Sequence, residues 1–154
     1  MSEKRTELTT AMKDAMKAKD ELTLNTVRMV IAKMKDQDIE ARLKGNMDGI
    51  ADGEILSLMQ GMVKQRQESS KIYIEGGRPE LAAKEDAEIV VIEKFLPAQL
   101  SDEDVAAAVA GLIVSIGAAG IKDMGKVMGE LKAKYAGQMD MGKAGAIVKQ
   151  KLAS

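Results

Sequence analysis

Asp123-Met124-Gly125-Lys126 returns seventeen residues later as Asp140-Met141-Gly142-Lys143, and each copy opens an apolar stretch bearing lysines. Lys132 and Lys134 are echoed by Lys149 and Lys151, so the C-terminal third reads as a helix repeated after a short connector. Working outward, Ser101 with Asp104 three residues on forms a start of capping-box type, Val105, Val109, Leu112, Ile113 and Ile116 follow at helical spacing, and Gly117 stops the run. Three short helices make a compact module. Pro97 ends whatever precedes it, and the corner from Phe95 to Ser101 divides the chain into residues 1–97 and 98–154.

The first part carries its own helical periods. Leu8, Met12, Ala15 and Met16 form one stripe. After Asp20, Leu24, Val27, Ile31 and Met34 form a second, with Arg28, Lys35 and Asp38 outside it, until Gly45-Asn46 breaks the pattern and Met47 to Gly53 reads as a loop. Asp52 is placed to cap a third helix, whose apolar face runs through Ile55, Leu58, Met59, Met62, Ile72 and Tyr73 to the stop at Gly76-Gly77. Pro79 suits the first turn of a fourth, because its missing N–H would have no partner there, and Leu81, Ala82, Ile89, Ile92 and Phe95 follow. Ile89-Val90-Val91-Ile92 alone would pass for a short buried strand, but its charged, helix-forming neighbours favour helix. The predicted fold is all-α: a larger N-terminal antiparallel helical domain, then a small C-terminal three-helix bundle.

Composition removes whole classes of chemistry. With no Cys and no His, the chain has no disulfide, thiolate, imidazole base or zinc-finger ligand set, and no metal site or cofactor is expected. No Walker-type or dinucleotide glycine loop occurs, and acid pairs such as Glu85 and Glu88 are common on helix surfaces, so no catalytic residue is assigned. No apolar run approaches the roughly 20 residues of a membrane span, and Met1-Ser2-Glu3-Lys4-Arg5 leads into mixed charge; the expectation is a cytoplasmic protein with no membrane partner. Tyr73, Phe95 and Tyr135 are the only aromatic residues, which argues against base-stacking platforms. The formal charge of −1 gives no global pull on phosphate, so attraction to nucleic acid has to be local.

Local charge is uneven. From Ala98 onward seven Lys face six acids, whereas the rest has sixteen basic residues against eighteen acidic. Lys122, Lys126 and Lys134 share a helix face by four-residue spacing, with Lys143 at the equivalent place on the next helix; a phosphate-facing patch competes here with a plain solvated face. The Asp-Met-Gly-Lys phrase has the same duality. Its Asp is a preferred N-cap, which outweighs phosphate binding at the helix start, and Gly125 with Gly129 reads as a tight packing surface. Lys64-Gln65-Arg66 interrupts an apolar helix and Arg78 sits at a forced turn; Lys64, Arg66 and Arg78 are candidate partner contacts, against the plainer reading that Arg78 ties two helices through Glu85 or Glu88. Met59 and Met62 read as core filler before they read as a groove.

Lys64-Gln65-Arg66 with Ser69, Gly77-Arg78, Glu80-Leu81-Ala82, Lys84-Glu85, Phe95-Leu96-Pro97-x-Gln99-Leu100-Ser101 and Asp123-Met124-Gly125-Lys126-Val127-Met128-Gly129, in that order, resemble the GatB/YqeY family along essentially the whole chain. The chain is similar to the stand-alone YqeY-like members. The resemblance implies an all-α protein related to the C-terminal tail of the GatB component of the glutamine-dependent aminoacyl-tRNA amidotransferase, a tail regarded as tRNA-binding. It also carries the family's carbon-nitrogen ligase label, with glutamine as amido donor, although the amidase and kinase sites of that enzyme lie outside the tail. What it implies here is an accessory tRNA-interacting module with no self-contained active site, whose RNA-binding candidates are Lys122, Lys126 and Lys143. Two alternatives stay open: a helical adaptor docking on a translation-related protein, and an amidotransferase component that works only beside catalytic subunits.

Overall fold

The computed structural model describes residues 3–153; Met1 and Ser2, where the reading for a leader begins, and Ser154 lie outside them. The described residues are helical, with no strand among them: α1 (Glu3–Ala18), α2 (Glu21–Leu43), α3 (Asp52–Glu75), α4 (Pro79–Glu93), α5 (Asp102–Ile116), a 3-10 turn (Ile121–Asp123), α6 (Met124–Tyr135) and α7 (Met141–Ala153). Ile89-Val90-Val91-Ile92 is helix, as its neighbours require. The chain forms two compact units, Met1–Leu96 and Pro97–Ser154.

In the first unit, short connections fold α1 on α2 and α3 on α4. Asp20 caps α2, its carboxylate accepting from the Thr23 N–H at 3.1 Å and hydroxyl at 2.7 Å, and Pro79 opens α4. α3 departs from expectation at its start. Asp52 is its first residue rather than its cap, and Glu54 reaches back to accept the Ala51 N–H at 3.3 Å. Leu8, Val27, Val30, Ile55, Met59, Met62, Ile92 and Phe95 belong to the core, a largely aliphatic and thioether interior. Met16 and Ile72, which the periodicity places on apolar faces, are exposed, while Tyr73 is half-buried near the end of α3.

Ionic ties join the elements of this unit. The Arg66 guanidinium donates from Nε to Glu88 Oε2 at 2.8 Å, from Nη1 to the Met62 carbonyl at 3.2 Å and from Nη2 to Met29 Sδ at 3.6 Å, joining α3, α4 and α2. Arg5 forks onto Asp38, Nη1 to Oδ2 at 2.7 Å and Nη2 to Oδ1 at 2.5 Å, and also donates to the Ile50 carbonyl at 2.9 Å. Asp38 Oδ1 accepts the Ile50 N–H at 2.9 Å as well, so one carboxylate pins α1 and the α2–α3 loop together. Asp38 is therefore buried, not on the wet face where its spacing puts it. Gly49 completes the loop at φ +80°, and a Cβ there would collide with that carboxylate.

In the second unit α5, α6 and α7 pack pairwise around Val109, Leu112, Val127, Leu131, Ala144 and Val148, with Tyr135 against the edge of this core. Ser101 Oγ accepts the Asp104 N–H at 3.1 Å and Gly117 ends α5 at φ +74°. The Gln99 side chain donates to the Gly137 carbonyl at 2.5 Å and the Leu100 N–H to the Gln138 carbonyl at 2.9 Å, which hold the entry to α5 against the α6–α7 connector.

Candidate functional site

Lys122 stands in the 3-10 turn, Lys126 in the first turn of α6 and Lys143 in the first turn of α7, and all three are exposed. The four-residue spacing keeps Lys122 and Lys126 on one face. Lys143 is not joined to them. α7 turns Gly145 toward α6, where Met128 Cε lies 3.7 Å from the place a Cβ would occupy, and Lys143, two residues earlier, projects about 200° round the helix from that contact.

The two copies of the repeated phrase use their aspartates differently. Asp140 Oδ1 accepts the Gly142 N–H at 2.8 Å, the capping role its position predicts. Asp123 does not cap α6; its Oδ2 accepts the Ala119 N–H at 2.9 Å, backwards across the turn. That hydrogen bond, chiefly, holds the Asp123 carboxyl below the usual carboxylate range, against some desolvation and with help from Gly120, Lys122 and Lys126. An ionised carboxylate thus sits beside both lysines and moderates their field.

Gly125 and Gly129 also differ from expectation. They are exposed, and nothing lies within 4 Å of a Cβ built on either, so they are not where helices approach closely. Lys122 in the 3-10 turn and Gly125, Lys126 and Gly129 on α6 consequently face outward together, so that two lysines stand beside bare backbone. The reason lies in phase: Val127 and Leu131 turn inward, which sends the glycines to the opposite side.

Of the partner-contact candidates, Lys64 is exposed on α3. Arg78 is exposed at the α3–α4 turn and donates to Glu80 at 2.7 Å, not to Glu85 or Glu88. Arg66 is 9% exposed and engaged on three sides, so it holds helices together instead of presenting a contact surface. Sequence reading passes over Arg5 and Asp38, which are 33 residues apart; each alone reads as an ordinary charged residue on a wet face.

Residues 5–152 match the family described as Yqey-like protein. Among curated relatives, "Altered inheritance of mitochondria protein 41, mitochondrial" of Candida glabrata is 33% identical over 85 residues, which is 55% of this chain and 45% of that protein. The protein of the same name in Eremothecium gossypii is 34% identical over 87 residues, 56% of this chain and 45% of that one. The one in Lachancea thermotolerans is 31% identical over 85 residues, 55% and 43% respectively. The chain spans less than half the length of the curated relatives it matches.

These names overturn the expectation of a cytoplasmic location, since the relatives are mitochondrial proteins by name. The physical reason is that the inference came from a missing apolar segment, and aqueous compartments on either side of an organelle membrane ask for the same polar surface. Among the described residues no single helix is long and apolar enough to cross a membrane, which separates none of these compartments. The match over residues 5–152, with the ordered phrases from Lys64 to Gly129, makes this chain a member of the YqeY-like family.

Proposed function

We propose that this protein is an accessory RNA-interacting module, with tRNA as its RNA, that contacts phosphates through the second unit and leaves chemistry to other proteins. The reading rests on the resemblance to the amidotransferase tail and on one observation: Lys122 of the 3-10 turn and Gly125, Lys126 and Gly129 of α6 are exposed together. Two point charges suit phosphate backbone, which positions without reading bases. The absent side chains at Gly125 and Gly129 beside them let a phosphodiester strand come close to the helix. Lys143, apart from these residues, is a separate phosphate contact on α7. Asp123 keeps the binding moderate, in line with a net charge near zero.

The test is anisotropy of labelled bulk tRNA titrated with the full chain at several salt concentrations. The wild-type protein binds with salt-dependent affinity. The triple variant Lys122→Glu/Lys126→Glu/Lys143→Glu loses binding with helical content intact, and single changes lower the salt slope by about one each. Affinity untouched by the triple change, or a flat salt response, would remove the proposal.

A further inference from the structure

α2 is apolar on two opposite faces. Val27, Val30 and Met34 face the core, and on the far side Leu22, Ile39 and Leu43 are 42%, 54% and 83% exposed, with Met29, 37% exposed, at the margin where its Sδ still accepts from Arg66. Asn25, Ala32 and Asp36, all exposed, fill the gaps. The resulting positions, 22, 25, 29, 32, 36, 39 and 43, alternate steps of three and four without a break, the spacing of a coiled-coil seam. It extends for roughly 32 Å at 1.5 Å per residue. Core packing explains one face of α2, and the Arg66 contact explains Met29, but Leu22, Ile39 and Leu43 are left without a reason inside the unit.

The edges of the seam say what covers it. Arg28, Lys35 and Arg42 line one edge at seven-residue intervals after Glu21, and Lys33 with Glu40 lie on the other; all are exposed. A second copy fits badly. Antiparallel pairing lays like edge on like edge, setting Arg28 against Lys35 with only Glu21 to offset Arg42, and parallel pairing sets Arg28 beside Lys33 and Asp36 on Asp36 against the one attractive pair of Lys35 with Glu40. A lipid surface fits badly too, because Asp36 lies in the middle of the apolar stripe, where a helix on a membrane would have to bury it. Within a helix pair, a polar seam residue is tolerated and fixes the register.

We propose that this face of α2 docks an amphipathic helix of another protein, apolar at the same three-four spacing and acidic along the edge that meets Arg28, Lys35 and Arg42. The opposed charge orients the partner and rejects basic helices.

The probe is a synthetic three-heptad peptide with Leu in the seam, one Asn to meet Asp36 and Glu at both edges, compared with the same peptide carrying Lys at both edges. Titrated against the full chain by fluorescence anisotropy, the Glu peptide binds at least about tenfold tighter than the Lys peptide. Ile39→Glu/Leu43→Glu abolishes that binding with the circular dichroism spectrum unchanged. Arg28→Glu/Lys35→Glu/Arg42→Glu reverses the preference between peptides, a change that mere loss of fold does not produce. Equal binding of the two peptides, binding of neither, or binding that survives Ile39→Glu/Leu43→Glu overturns the proposal. So does a chain that is dimeric by light scattering and becomes monomeric with Leu43→Glu, which would make a second copy the occupant. Flotation with anionic vesicles in the absence of peptide binding would make it a membrane.

Discussion

Arg66 and Glu88 are withdrawn from water, and each satisfies the other's charge, so removing one strands its partner in the interior. Arg66→Ala should cost about 3 kcal/mol in urea unfolding, while Arg66→Met with Glu88→Leu should recover most of it; equal losses in the two variants would deny the pair its role. Asp38 behaves differently because it titrates. The Arg5 hydrogen bond, chiefly, holds its carboxyl below the usual carboxylate range, against the opposing effect of burial and with the Ile50 N–H adding to it. A depressed native value favours the folded state once pH exceeds the unfolded value of about 3.9, and that contribution fades as pH drops through the native value. Thermal melts between about pH 5 and pH 2 should therefore show a decline that Asp38→Asn flattens. Neither pair is legible in the sequence. Glu88 reads there, with Glu85, as a partner for Arg78 at the helix junction and in fact takes Arg66, because nearness along the chain does not show the neighbour across the α3–α4 hairpin.

Elements are far more readable than contacts. Pro79 at the head of α4, Ser101 capping α5 and Gly117 in the left-handed region behind it all follow from local backbone needs, which the chain carries in sequence order. The repeated phrase shows where such reading stops. Identical letters at 123 and 140 produce a backward hydrogen bond to Ala119 in one copy and a forward cap in the other, since the segment before each helix has a different course. α6 supplies a direct check on its glycines. In an exposed helix Gly costs up to about 1 kcal/mol relative to Ala, and space is open at both positions, so Gly125→Ala/Gly129→Ala should raise the melting temperature. The same variant should weaken tRNA binding if phosphates approach the bare strip. Loss of stability would mean that the glycines serve the fold after all.

At the level of the molecule, each unit has its own core, one around Ile55, Met59 and Ile92 and the other around Val109, Val127 and Leu131. Leu131→Ala removes a fully buried side chain from the second and should cost that unit about 3 kcal/mol. In hydrogen exchange, amides of α5, α6 and α7 should lose protection while those of α1 to α4 keep theirs; a uniform loss would mean the two cores unfold as one. The all-helical class is open to sequence reading because 3.6-residue periodicity and Gly or Pro punctuation persist from α1 to α7. The outward seam of α2 is not, because one apolar stripe per helix is all that a buried core demands, and the second stripe stands out only when the first is seen to be covered. The sparse aromatic content leaves a practical legacy for spectroscopy. With no tryptophan, and with Tyr73 in one unit and Tyr135 in the other, replacing either by Phe turns the remaining phenol into a native optical reporter of a single unit, with no dye attached.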